Sequence, residues 1–102
     1  FRGILSTIYF ETKKGITINK IYSKLRSVYK NKNFVKILKI NSHISTNDVI
    51  NTNNCYISIC KTKYKNKYII LSAIDNLIKG GAGQAVQNMN LKFNFSEKKG
   101  LL

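Results

Sequence analysis

Ile4, Ser6, Ile8 and Phe10 alternate with Leu5, Thr7, Tyr9 and Glu11. That period of two predicts a strand over about 2–10. Apolar residues fall on both sides of the alternation, so the strand is expected to be covered on both faces. Lys13-Lys14-Gly15 ends it, and Thr17 stands where it can cap a helix over about 18–31. In that helix Ile18, Ile21, Tyr22, Leu25, Val28 and Tyr29 form one apolar stripe, with Lys20, Ser23, Lys24, Ser27 and Lys30 on the other side. Phe34–Ile40 is rich in β-branched residues and reads as a second strand. Residues 41–53 hold five Asn or Asp and little periodicity, which predicts an ordered loop with a short strand at Val49-Ile50. Residues 54–63 and 67–75 then form a hairpin, with Asn66 suited to a left-handed turn position. A last helix over 77–91 has the stripe Ile78, Ala82, Ala85, Val86, Met89 and Phe93, which the pattern assigns to the core. Gln84, Gln87 and Asn88 lie beside it or at its margin. The order β-α-β-β-β-α predicts an α+β fold, a mixed and largely antiparallel sheet with helices packed on it.

Composition changes this picture little. The chain has 102 residues, enough for one small domain with a core, and its 43% hydrophobic content argues against disorder. No apolar run approaches the roughly 20 residues of a membrane helix. FRGILSTIYF at the start lacks a cleavage site, and a chain opening on Phe1 reads as a piece of a longer protein. The 18 Lys and Arg outnumber 4 Asp and Glu, for a net charge of +14. Taken alone this suggests nucleic acid or an anionic membrane. The basic residues are dispersed, however, with no unbroken run beyond two. Ile, Lys and Asn are all used heavily, as A- and T-rich codons dictate, so a solvated surface without a specific nucleic-acid partner is the stronger reading. Cys55 and Cys60 lie five apart on an expected strand, on opposite faces and about 17 Å apart, so they neither pair nor share a metal. Two unpaired thiols fit a reduced, cytoplasmic setting.

The chemistry-bearing stretch is Asp75-Asn-Leu-Ile-Lys-Gly-Gly-Ala-Gly-Gln-Ala-Val-Gln-Asn88. A strand ends in Asp-Asn and a helix opens on glycines, where unpaired N–H groups favour an anion or polar group. The plainer reading, tight helix–sheet packing, stands slightly ahead on chemistry alone. No Gly-Lys-Ser/Thr follows for a phosphate loop, and Gly81-x-Gly83 lacks the third glycine of a dinucleotide fingerprint. Gly80-Gly-Ala-Gly83 also satisfies the GxxG loop of a KH RNA-binding module, the rival reading, but that loop joins two helices. His43, the one histidine, lies in a polar loop and reads as exposed. Cys55 and Cys60 read as small buried apolar residues, and the four acids are scattered, so no paired-carboxylate site forms.

Asp75–Asn90 closely resembles the C-terminal signature of the N-acetyl-gamma-glutamyl-phosphate reductases, D-N-L-V-K-G-A-A-G-Q-A-V-Q-N-M-N. Arg2-Gly-Ile-Leu-Ser-Thr-Ile-Tyr9 is similar to the family's R-G-I-L-x-T-x-Y strand, Asn54-Cys55 to its step into the hairpin, and Lys99-Gly100-Leu101 to its terminal T-G-L. The resemblance spans essentially the whole chain and reaches the family's C-terminus. It implies a substrate domain like that of glyceraldehyde-3-phosphate and aspartate-semialdehyde dehydrogenases. Residues 1–76 would be part of the substrate and dimerisation domain, and 77–102 a helix and tail packing on the cofactor domain. It also implies a homo-oligomeric, NADP-dependent enzyme acting on N-acetyl-glutamyl phosphate, with no membrane partner. The family's nucleophilic Cys sits in a G-N-P-G-C motif that this sequence does not contain, so no residue here is assigned to catalysis. Gly83, Gln87 and Asn88 are expected at the cofactor: the glycine for close approach, the two amides for a carboxamide, with thermal stability little affected by changing either amide.

The charge predicts weak, sequence-independent polyanion binding that fades between low and physiological salt. Titration with several single-stranded RNAs at two salt concentrations checks this, and sub-micromolar, sequence-selective binding at physiological salt would contradict it.

Overall fold

The computed structural model describes residues 2–102. The chain folds as an α+β unit. Strands β1 (Ile4–Glu11), β2 (Val35–Ile37), β3 (Cys55–Lys61) and β4 (Lys67–Ile74) form one sheet in the order β1-β4-β3-β2. β1 pairs with β4 and β4 with β3 antiparallel, while β2 runs parallel to β3. The sheet is therefore mixed and largely antiparallel, as the pattern predicts. Helix α1 (Ile18–Val28) follows β1, and helix α2 (Gly83–Lys92) follows β4.

Local signals explain the boundaries. Thr17 caps α1 by accepting the Lys20 N–H on its side-chain oxygen at 3.2 Å. α1 ends at Val28, not at residue 31, because Tyr29 already leaves helical geometry. Asn66 turns the hairpin with φ +60°, and Asn41, Asn51 and Asn94 adopt similar left-handed values at other turns. β2 spans Val35–Ile37 only. The expected strand at Val49-Ile50 is instead a turn after a short 3-10 helix, Thr46–Asp48, and Val49 packs inward as a fully buried side chain.

Different segments cover the two faces of the sheet. On one, Ile44 and Val49 of the loop pack with Ala73, Leu38, Tyr56 and Leu71, and Ser58 Oγ donates to the Ser42 carbonyl at 2.8 Å. On the other, Ile8, Ile70 and Ile59 form a row across three strands. There Tyr68 donates to the Ile16 carbonyl at 3.0 Å, just before α1, which packs on β3. Both covers lie over β3 and β4. β1, at the edge, is not enclosed on both faces as expected: Ile4, Leu5 and Ile8 are about half exposed and Tyr9 is 74% exposed.

One buried group joins the ends of this scaffold. Asp75, with no exposed surface, follows β4. Its carboxylate accepts from Arg2 Nε at 3.0 Å, from Arg2 Nη2, and from the N–H groups of Asn51 and Leu77 at 2.8 and 2.9 Å. Beside it the Gly3 N–H donates to Asn76 Oδ1 at 2.6 Å. Gly3 holds φ +123°, and a side chain there would overlap Thr46. The Arg2 hydrogen bond, aided by the two backbone donors, outweighs burial and lowers the Asp75 pKa from 3.8 to about 2.

Because the folded-state pKa is depressed, the stabilisation is complete above 3.8 and is lost as pH falls through about 2. Unfolding followed by urea midpoint from pH 5 to pH 2 should show a fall across that window. Asp75→Asn should be less stable at pH 5 and flatter below it; an equally steep fall in the variant would contradict the assignment.

Candidate functional site at the C-terminal helix

Asp75 also launches the last helix. Its backbone carbonyl accepts from the Ile78 and Gly80 N–H groups at 3.2 and 3.1 Å. The chain then makes a wide π turn over Ile78–Ala82, in which the Ala82 N–H reaches back to the Leu77 carbonyl at 3.3 Å. Gly81 breaks the helical geometry there with φ −146° and ψ −112°. Regular helix begins at Gly83. The 77–91 helix of the sequence pattern is thus two pieces joined at a kink.

The orientation of α2 reverses the expectation. Gly83, Gln87 and Asn90, spaced one turn apart on one face, are the residues it buries. Ala82, Ala85, Met89 and Phe93 face outward instead, Met89 at 47% and Phe93 at 63% exposure, and Ile78 and Val86 are half-buried. The stripe assigned to the core is therefore mostly uncovered. A polar partner stands opposite the buried face: the Asn53 side chain, fully buried, meets α2 at Gly83 and Gln87.

Gln87 is at the centre of this contact. Its Oε1 accepts from Asn53 Nδ2 at 2.9 Å and from Lys79 Nζ at 2.7 Å, and its Nε2 donates to Glu97 Oε1 at 2.8 Å. Asn33 Nδ2 donates to the other Glu97 oxygen at 3.0 Å. Partial burial depresses the Lys79 pKa, opposed by the nearby Cys55 and Glu97. Asn90 Nδ2 donates to the carbonyls of Glu97 and Lys99, and the Asn53 N–H donates to the Leu102 carbonyl at 3.0 Å, which fixes the tail.

The three expected cofactor residues separate here. Gly83 is buried, and a methyl on it would overlap Asn53 Oδ1 and lie 2.7 Å from the Ile78 carbonyl oxygen. Gln87 points inward, so its amide is not presented beside the stripe as expected. Asn88 is exposed on the outward half of α2, where its Oδ1 accepts from Gln84 Nε2 at 2.9 Å. Sequence reasoning missed Asn53, Lys79 and Glu97 as their partners. Asn53 stands in a run of polar loop residues, and nothing in that run marks it as buried.

The other candidates stay apart. Cys55 Sγ lies 3.4 Å from Ser72 Oγ, and Cys60 Sγ meets Ser58 Oγ and the Ser42 carbonyl. Both thiols are free. His43 is exposed. Among the described residues no cluster of His, Cys, Asp and Glu could hold a metal, and no helix is long and apolar enough to cross a membrane. A groove of about 810 Å³ opens at the far end of the hairpin, lined by Lys14, Lys61, Lys63 and Lys65. Gly80–Gly83 follows strand β4 and spans the end of the π turn and the first residue of α2, so it does not join two α-helices as a KH loop does.

Residues 1–76 match the family model of the semialdehyde dehydrogenase dimerisation domain. The chain belongs to that family. Over 100 residues this semialdehyde dehydrogenase-type chain is 46% identical to the N-acetyl-gamma-glutamyl-phosphate reductase of Thermoanaerobacter pseudethanolicus and 50% identical to that of Clostridium kluyveri. It is 41% identical to a probable chloroplastic N-acetyl-gamma-glutamyl-phosphate reductase of Oryza sativa subsp. japonica. Each match covers 98% of this chain, but only 29%, 29% and 24% of the relatives. The chain spans less than a third of their length and corresponds to their C-terminal part. The family consists of oxidoreductases, and nothing in these relatives supports an RNA-binding module.

Gln87→Leu should cost about 1–3 kcal/mol in urea unfolding, since it leaves Asn53 Nδ2 buried without an acceptor. Asn88→Ala should stay within about 0.5 kcal/mol of the unchanged chain. Equal losses would contradict the inward placement of Gln87.

Proposed function

We propose that this chain is the C-terminal part of an NADPH-dependent reductase that converts N-acetyl-glutamyl phosphate to N-acetyl-glutamate semialdehyde in arginine biosynthesis. The observation that carries the reading is the 41–50% identity over 100 residues to proteins of that name. Residues 1–76 then belong to a glyceraldehyde-3-phosphate dehydrogenase-like substrate and dimerisation domain, and 77–102 pack on the cofactor domain. The protein is a cytoplasmic homo-oligomer in this reading. The outward stripe of Ala82, Ala85, Met89 and Phe93 supports the division, because it leaves an apolar helix face for a neighbouring domain.

NADPH supplies the hydride when bound. The residues of this chain contribute position and orientation. Asn88 is the member of the expected set that fits a carboxamide: it is exposed, and among the described residues its Nδ2 has no partner while Oδ1 is held by Gln84. Gly83 and Gln87 serve the same site from inside, by seating the helix. The thiol that attacks the acyl phosphate comes from outside this chain. The hydrogen-bonding neighbours of Cys55 and Cys60 are hydroxyls and a carbonyl, and Lys79, the basic group near Cys55, donates from its ammonium to Gln87 Oε1.

In the complete reductase, Asn88→Ala should weaken NADPH binding or lower turnover about five-fold, the loss of one oriented hydrogen bond, with an unchanged melting temperature. The 102-residue chain alone should show no turnover. Turnover by this chain alone, abolished by Cys55→Ser or Cys60→Ser, would overturn the reading.

A further inference from the structure

We infer that Asn53 is a positioning residue that fixes the rotation of α2, and through it the placement of Asn88; the second half rests on the cofactor reading above. Asn53 lies in the loop before β3, far in sequence from the helix it touches. Its side chain has no exposed surface and is wedged between Gly83 and Gln87, which occupy one face of α2 a single turn apart.

The orientation of the wedge is determined by its neighbours. Lys79 offers only donors and the Glu97 carboxylate only acceptors. Gln87 must therefore turn Oε1 toward Lys79 and Nε2 toward Glu97. With Oε1 facing Asn53, the Asn53 amide must present Nδ2 to it. Asn53 Oδ1 is left pointing at α2, buried and without a hydrogen-bond partner. A β-carbon on residue 83 would clash with it, so glycine is the residue that lets the helix come this close. A buried acceptor without a partner is ordinarily unfavourable. Its retention here follows from the Nδ2 bond, which needs this amide in this orientation.

The consequence is directional. A buried amide pair has one hydrogen-bonding register, because each amide presents one donor end and one acceptor end. Of the residues α2 buries, Gln87 bonds to the Asn53 amide and Asn90 to carbonyls of the tail, so the Asn53–Gln87 pair is the side-chain bond that registers the helix on the loop before β3. Asn88 is the next residue after Gln87, and any roll of the helix moves it directly. The Asn51 N–H on Asp75 holds the other side of the same loop. Asn53 is thereby referenced to the end of β4 as well as to the helix.

The test uses the complete reductase containing this chain, with Asn53→Ala, Asn88→Ala and the double variant. Hydrogen exchange of the Gly83–Lys92 amides should accelerate about ten-fold or more in Asn53→Ala, while Lys67–Ile74 stays unchanged. Asn53→Ala should weaken NADPH binding about five-fold, as loss of one hydrogen bond allows, and the double variant should bind no more weakly than Asn88→Ala. Unchanged α2 exchange would overturn the positioning role whatever the cofactor does, and additive losses in the double variant would overturn the route through Asn88. If Asn88→Ala binds NADPH normally, it is the cofactor reading that fails, and exchange alone then decides whether Asn53 places α2. Should Asn53→Ala not fold, Asn53→Ser measured in the same way carries the same outcomes.

Discussion

The Asp75 carboxylate is the point on which the other parts of the fold depend. Four acceptances meet on it: two from Arg2 at the start of β1, one from Asn51 in the loop, and one from Leu77 at the start of the last segment. A charge with no exposed surface is tolerated only when paired and hydrogen-bonded, and here every partner is supplied by a different piece of chain. The carboxylate therefore acts as a junction. It registers the first strand, the loop carrying Asn53 and the launch of the helix against one another.

That junction bears on how the last helix is seated, with a buried amide pair at its contact with the body. α2 meets the loop before β3 through Gly83 and Gln87, Asn90 ties it to the tail, and Ala82, Ala85, Met89 and Phe93 remain open. Polar seating gives direction more than strength, since a neutral buried hydrogen bond contributes only about 0.5–1.5 kcal/mol net. An element held in this way presents its other face in a defined orientation, which suits the proposed packing of the helix on a cofactor domain. The half-exposed β1 belongs to the same picture: an edge strand with Ile4, Leu5, Ile8 and Tyr9 uncovered has surface left to bury.

The sequence pattern made much of this legible. Thr17, Asn66 and the alternation in β1, β3 and β4 act through local geometry, and each is where the pattern puts it. Periodicity also grouped Ala82, Ala85, Met89 and Phe93 correctly on one side of a helix. What it could not supply is which side meets the body, because a period reports which residues share a face and not what that face touches. The same limit hid the exposure of β1, whose covers lie over other strands. Asn53 was illegible for another reason: one asparagine among many in an asparagine-rich loop looks solvated, and its burial depends on Gly83, thirty positions later in the chain. The family, by contrast, was readable from Asp75–Asn90 directly.

Met89 gives the most direct reading of how α2 is turned, because it is the one methionine in the sequence and lies on the outward stripe. Peroxide oxidation of the folded 102-residue chain, followed by mass spectrometry, measures its accessibility against a free methionine peptide. A half-exposed thioether should oxidise at close to the peptide rate while the chain stays folded. Protection of Met89 by an order of magnitude or more in the folded chain would mean that the apolar stripe is buried after all, and would contradict the polar seating of α2.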